Sequence, residues 1–260
     1  MTNSTRSPSS PPANANRSVN PSGSPSGNSS GSSSAPASER LIAGAFYDMD
    51  GTLVSTNLVH SFLYTAAHEP SVLRTLRSTV FGLVKVPVFL AVDQVSRVAF
   101  NELLFAGYAG MFEDRLLEQA NDHFETVLRP NIFPGAYELV ENARKKGIRQ
   151  VLVTGSLDVM VAPLARHLGI EDVISNRLEF KDGVATGRLV KPIVAGANKA
   201  RFIQEYAKKW RIDLLESYGF SDSYSDYSML SVVGRPAAVN PDRRLRMAAK
   251  EHNWPVLDIR

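Results

Sequence analysis

From Leu41 onward the chain alternates short apolar runs with longer helix-forming stretches, the pattern of a parallel sheet joined by crossover helices. The first run, Leu41-Ile42-Ala43-Gly44-Ala45-Phe46-Tyr47, has no polar alternation and predicts a buried strand. Further strands are expected at 150–153, 172–175, 216–220, 237–240 and 256–259, with helices at 136–146, 157–168, 199–210 and 242–252. Gly147 and Gly169 stand where the first two of those helices should stop. The stretch 178–189 reads as a β-hairpin turning at Asp182-Gly183. The expected fold is therefore α/β, a Rossmann-like parallel sheet flanked by helices.

Two segments depart from the alternation. Residues 1–40 are mostly Ser, Pro, Asn, Gly and Ala, which cannot bury enough apolar area to offset ordering entropy, so a disordered tail is expected. Residues 58–132 look helical throughout and interrupt the fold just after the first strand, where a helical cap could close over a site. Domain limits follow: a tail at 1–40, a catalytic core at 41–57 and 133–260, and a cap insertion at 58–132. Within the insertion, 79–92 is apolar but interrupted by Lys85 and Pro87, too short for the ~20 residues of a membrane span. A buried helix pair or peripheral membrane contact through these residues would each account for it.

Composition removes some chemistry. There is no cysteine, which excludes disulfides and thiolate catalysis and fits a reducing, cytoplasmic setting. The N-terminal stretch lacks the apolar core of a secretory signal; organelle targeting is the alternative role for it. The formal charge is +3, but Arg6, Arg17 and Arg40 against Glu39 place much of it in the tail, so no nucleic-acid partner is implied. A late basic cluster, Arg235, Arg243, Arg244, Arg246 and Lys250, reads as a solvated helix face. His60, His68, His123, His167 and His252 lack paired zinc-ligand spacing.

The chemistry-bearing residues collect at expected strand ends. Asp48-Met49-Asp50-Gly51-Thr52 follows the first strand, Thr154-Gly155-Ser156 follows the second, and Ser221-Asp222-Ser223-Tyr224-Ser225-Asp226 follows the fourth. Lys199 opens a helix between the last two, and Lys191 competes for the same cationic role. Ligands in open α/β sheets gather at the carboxyl ends of strands.

These four elements, in this order, resemble the motifs of the haloacid dehalogenase-like phosphohydrolase superfamily across nearly all of residues 41–260. The Thr-Gly-Ser-Leu-Asp wording, the Ser-Asp-Ser-x-Ser-Asp loop and the ending Ala-Val-Asn-Pro-Asp-Arg-Arg-Leu are similar to subfamily IB, the relatives of phosphoserine phosphatase. The insertion looks like the type-1 cap of that family. The resemblance implies a phosphomonoester hydrolase in which Asp48 is the nucleophile and forms an aspartyl-phosphate. Asp50 becomes general acid and then general base. Thr154, with Gly155, Ser156 and Thr52 beside it, contacts the phosphoryl group, and Lys199 offsets charge. Mg²⁺ is the implied cofactor, on Asp48, the Asp50 main-chain carbonyl and Asp222. Asp226 is placed one step back, on the metal's outer shell or on Lys199.

Asn57 stands where phosphoserine phosphatases carry a Glu that receives the substrate ammonium. An amide cannot pair with an ammonium as a carboxylate does, so a glycerol- or lipid-type phosphate is favoured over phosphoserine. A phosphoserine phosphatase-like enzyme for another small metabolite, a phosphomutase and a catalytically silent membrane-associated module remain the alternatives. The sequence carries no signal for oligomeric state.

Overall fold

The computed structural model describes residues 41–68 and 96–260, so the expectations for 1–40 and 79–92 fall outside the described residues. β1 (Ile42–Tyr47) lies inside a six-stranded sheet with β2 (Arg149–Leu157), β3 (Asp172–Asn176), β6 (Ile212–Ser221), β7 (Arg235–Val239) and β8 (Val256–Leu257). The strand order is β3-β2-β1-β6-β7-β8 and every neighbouring pair is parallel. This is the α/β architecture expected from the alternation.

The apolar character of β1 follows from helices on both faces. Tyr47 packs with Leu152, Val161, Leu164 and Val239 on one face, against α4 (Pro134–Lys145) and α5 (Asp158–Leu168). Its neighbour Phe46 packs with Val151, Val153, Ile203 and Met229 on the other, against α6 (Ala197–Trp210) and α7 (Tyr227–Ser231). Successive strand residues point to opposite faces, so both must be apolar. α8 (Arg243–Glu251) closes the far side through Leu245 and Ala249.

Strand limits shift in an informative way. β2 runs on through Thr154-Gly155-Ser156, which the sequence places in a loop, while β8 is shorter than expected. The Ser/Asp loop after β6 winds into a 3₁₀ turn at Tyr224–Asp226 and then α7, neither of which the sequence reading anticipates. Ser and Asp side chains make local bonds that mask helicity in the sequence, and burial of Met229 and Leu230 favours winding the chain here.

Among the described residues between β1 and β2 lie α1 (Leu58–Ala67), α2 (Arg97–Phe105) and α3 (Glu113–His123). The hairpin β4 (Leu178–Lys181) and β5 (Val184–Leu189) turns at Asp182-Gly183, both with positive φ, as expected. Its apolar face shares a core with the inserted helices: Leu178, Ala185 and Leu189 pack with Phe62, Phe100, Leu104 and Tyr108. The Gly110 N–H donates to the Ala185 carbonyl and the Ala185 N–H to the Met111 carbonyl, each at 2.8 Å. The insertion is thus not helical throughout. At Phe112 it makes an isolated antiparallel bridge to Val184 at the edge of β5. No described helix is long and apolar enough to cross a membrane.

β1 sits between β2 and β6, so chain direction away from it reverses at its carboxyl end. The loops after β1 and β6, with the end of β2, converge at this switch point, where open α/β sheets bind ligands.

Candidate active site

Asp48 is the first residue past β1, and its N–H donates to the Phe220 carbonyl of β6 at 2.9 Å, so the sheet ladder itself positions it. The turn that follows requires Gly51: its φ is +80°, and a Cβ there would collide with the Asp222 carboxylate. That close approach brings the ends of β1 and β6 together. Thr52 is fully buried between them, its Oγ1 donating at 3.2 Å to Asp48 Oδ2 or at 3.3 Å to Asp222 Oδ1.

Lys199, in the first turn of α6, is 5% exposed. Its Nζ donates to Asp48 Oδ1 at 2.6 Å and to Asp226 Oδ2 at 2.7 Å. Ser221 Oγ donates to the same Asp226 oxygen at 2.9 Å. Asp226 therefore holds Lys199 against Asp48. Lys191 is exposed and paired with Glu102 at 2.9 Å, away from this cluster.

Asp50 points into the same cavity with long contacts from Thr56 Oγ1, 3.4 Å, and Ser156 Oγ, 3.5 Å. Burial, then repulsion from Asp48, pushes its carboxyl up to about 7, against the pull of Lys199, Arg97 and Thr56. Asp222 rises to about 8 for the same reasons, burial first and the charges of Asp48 and Asp226 after it. Burial also pushes Asp48 up while Lys199 holds it down. Burial acts to lower the Lys199 ammonium, but Asp226 and Asp48 outweigh it and raise its pKa.

A cavity of about 340 Å³ opens over these groups. Asp48, Asp50, Gly155, Lys199, Asp222 and Asp226 line it, whereas Thr52, Thr154 and Ser156 do not. Thr154 is fully buried and its Oγ1 accepts the Ser156 N–H at 3.1 Å, which shapes the turn that exposes Gly155. Thr52, Thr154 and Ser156, expected to contact a phosphoryl group, are buried beside the cavity. Thr52 lies between two carboxylates, and Ser156 reaches Asp50.

Asn57 lines the cavity, but it also caps α1: its Oδ1 accepts from the Val59 and His60 N–H groups, and His60 Nδ1 accepts the Asn57 N–H. Asn57, expected to meet substrate, has its amide oxygen engaged with backbone, leaving Nδ2. An Asn before a helix with a side-chain acceptor three residues on is the sequence signal for this cap.

Arg97 and Asn101, one turn apart on α2, also line the cavity and were not among the expected site residues. Asn101 is 3% exposed, with Nδ2 against Gly155. No motif marks either residue, since both reach the site only because the insertion folds back over it.

The acids outnumber the cations here. Asp48, Asp50, Asp222 and Asp226 face Lys199 and Arg97. Burial first, and then mutual repulsion, raises the carboxyls of Asp50 and Asp222, and a hard divalent cation would offset the repulsion. Among the described residues no three acidic or histidine side chains group as a metal cage. A site of two carboxylates, a main-chain carbonyl and water suits Mg²⁺, which keeps part of its hydration shell.

The comparisons with known proteins agree with this geometry. Residues 45–231 match the family haloacid dehalogenase-like hydrolase. The chain is 33% identical over 225 residues to the inhibition of morphological differentiation protein of Streptomyces azureus, covering 83% of this chain and 78% of that protein. It is 30% identical over 221 residues to the phosphoserine phosphatase SerB1 of Mycobacterium tuberculosis, strain ATCC 25618 / H37Rv, covering 85% of this chain and 72% of that protein. A solved phospho-aspartyl intermediate analogue of phosphoserine phosphatase shares the fold, with a TM-score of 0.62 at 17% identity, over 85% of this chain and 94% of that one. The chain belongs to the haloacid dehalogenase-like hydrolase family, as a phosphatase-type member related to phosphoserine phosphatases.

Proposed function

We propose that this protein is a Mg²⁺-dependent phosphomonoester hydrolase that passes the phosphoryl group through Asp48. The observation carrying this reading is the Lys199 ammonium, held by Asp226 and set 2.6 Å from Asp48 at the sheet's switch point. A buried cation there keeps one carboxylate ionised as a nucleophile and offsets charge on the phosphate. Mg²⁺ on the Asp48 and Asp222 carboxylates and the Asp50 main-chain carbonyl would neutralise phosphoryl oxygens when bound.

An Asp48 oxygen attacks phosphorus as the bond to the leaving oxygen breaks. Asp50 gives its proton to the departing alkoxide, a role suited to a carboxyl pushed up to about 7. The Asp50 carboxylate then takes a proton from water, whose oxygen attacks the aspartyl-phosphate, releasing inorganic phosphate and restoring Asp48. The Gly155 amide is assigned to the phosphoryl group, since Gly155 lines the cavity, and Thr52 steadies Asp48 and Asp222 from beside it.

The substrate we favour is a glycerol-type phosphate with a small polar leaving group. Among the described residues Leu58, Val194 and Ala195 are the apolar side chains of the cavity lining, set among charged and polar ones. A lysophospholipid-like phosphate, suggested by the apolar stretch 79–92, has no further support from the described residues. Phosphoserine, the substrate class named for the Mycobacterium relative, is disfavoured by Asn57, which offers no carboxylate to an ammonium.

Turnover of phosphoserine, glycerol phosphate and lysophosphatidate with and without Mg²⁺ tests the reading. Glycerol phosphate should lead and chelation should abolish the rate; equal, feeble rates on all three would sink the substrate assignment. Asp50→Asn should lose roughly 10²–10⁴-fold, chiefly in breakdown of the phospho-enzyme. Undiminished breakdown in that variant would remove Asp50 from the second step.

A further inference from the structure

A second chamber of about 460 Å³ adjoins the reaction cavity, and the two share Arg97, Gly196, Ser223, Ser225 and Asp242 in their linings. Their charges differ in kind. The first holds the acid cluster. Among the described residues, the charged side chains of the second are Arg97, Arg244 and Asp242.

Asp242 is engaged by backbone. Its Oδ1 accepts the Leu245 N–H at 2.7 Å, capping α8, and its Oδ2 accepts the Tyr224 N–H at 2.8 Å. Arg244 is held differently: its guanidinium lies over the Tyr224 ring, 4.4 Å from the centroid. Stacking uses the face of the guanidinium and leaves its N–H edge for a planar or tetrahedral oxyanion. No carboxylate pairs with Arg244 among the described residues, although nearby arginines such as Arg235 and Arg201 do have acidic partners. From sequence Arg244 belongs to a basic run along α8; the structure separates it from Arg243 and Arg246, which line neither chamber.

Hydroxyls complete the wall. Ser223 Oγ accepts from the Ser225 N–H at 3.3 Å and from the Ser225 hydroxyl at 3.1 Å, so its own proton is the donor left for a ligand. Ser96 Oγ accepts the Ala99 N–H at 3.2 Å as the cap of α2, which likewise leaves its proton to donate.

We propose that the chamber of Arg244, Tyr224, Ser223 and Ser96 is an oxyanion subsite, so that the natural substrate carries a second anionic group on its leaving group, remote from the scissile phosphate. This rests on the phosphatase reading above and narrows its small polar, glycerol-type leaving group to one that bears a second anion. A distal phosphate and a distal carboxylate share the chemistry that a stacked guanidinium and two hydroxyl donors recognise.

The test uses matched esters: monophosphates of propanediol, butanediol and hexanediol, the corresponding bisphosphates, and ω-carboxylate analogues of each monophosphate. The wild-type chain should prefer one of the doubly anionic sets by about tenfold or more in kcat/KM, and which set leads identifies the distal group. Arg244→Met should reduce that preference by about tenfold through KM, while Arg243→Met, an equal loss of charge on the same helix, should leave it intact. Calorimetric binding of the preferred ester to Asp48→Asn, with and without Arg244→Met, gives the same comparison without turnover. No preference for a second anion, or a preference reduced equally by both arginine variants, overturns the subsite. No turnover of para-nitrophenyl phosphate by the wild-type chain overturns the phosphatase reading and this one with it.

Discussion

The floor of the cavity and its wall are built from different kinds of chain. The floor is made at strand ends: Asp48 after β1, Gly155 near the end of β2 and Asp222 after β6, with Lys199 from the helix that enters β6. The wall is made by helices of the insertion, which bring Arg97, Asn101 and Asn57 over that floor. Floor residues are fixed by sheet hydrogen bonds and by one another, in a cluster where burial raises the carboxyls of Asp48, Asp50 and Asp222. Wall residues are fixed by packing of α1, α2 and the hairpin, and that packing can change without disturbing the sheet. Such a division lets reaction chemistry and substrate choice vary independently.

The largest effect should come from the floor. Asp48→Asn should lower turnover by roughly ten-thousand-fold or more, with any doubly anionic or singly anionic ester. Undiminished turnover by that variant would remove the nucleophile and with it the distinction between floor and wall.

Lys199→Met should come next, because it leaves Asp48 and Asp226 buried without their shared cation. Breaking a buried pair in this way costs about 3–5 kcal/mol, read as a lower urea midpoint at unchanged m. Double replacement with Asp226→Asn should recover part of the loss; no recovery would mean that Lys199 acts by packing alone.

The pH dependence of the metal-free protein separates the regions more gently. Asp50 and Asp222 titrate at about 7 and about 8 when folded, against roughly 4 when unfolded. Their raised folded values mean that the folded state binds more protons above pH 4. Stability should therefore fall as pH rises from about 4 to about 8, by up to a few kcal/mol. Added Mg²⁺ should flatten the slope, since it offsets the same charge. A metal-free protein that gains stability over this window would show that the floor is not an anionic cluster in excess.

Wall variants should act on binding. Arg97→Ala should raise KM by about tenfold and leave kcat within about twofold, as for uniform loss of ground- and transition-state binding. A fall in kcat alone would move Arg97 from wall to reaction centre. The smallest effect belongs to Asn57→Ala, about 1 kcal/mol of stability through loss of the α1 cap, with selectivity for ammonium-bearing esters unchanged. A changed selectivity would return Asn57 to a direct contact with substrate.

The same division governs what could be read in advance. Both carboxylates after β1, the Lys199 position and the acidic loop after β6 were legible because each lies directly beside an apolar run whose strand character is local. Depth distinguishes Lys199 from Lys191: one is buried between two aspartates and the other is exposed on Glu102. Thr52, Thr154 and Ser156 were legible as strand-end hydroxyls, but their bonds to Asp48, Asp222, the Ser156 N–H and Asp50 were not, since spacing along a chain does not say which neighbour a hydroxyl meets. Arg97 and Asn101 gave no sequence signal, and Arg244 was legible only as one of a basic run read as a solvated helix face. Each is an ordinary helix residue until two distant segments are brought together.

By itself, then, the amino-acid sequence determined the parallel α/β sheet, the hairpin turn at Asp182-Gly183 and the cluster of reactive groups at strand ends, because these depend on periodicity and on neighbours a few residues away. Only the tertiary structure decided that β1 lies at the switch point between β2 and β6, that the hairpin lends its edge to the insertion, and that Arg97 and Arg244 line one chamber beside the acids. Those outcomes depend on burial shared between segments far apart in sequence, where long-range packing, and not local preference, sets the balance of free energy.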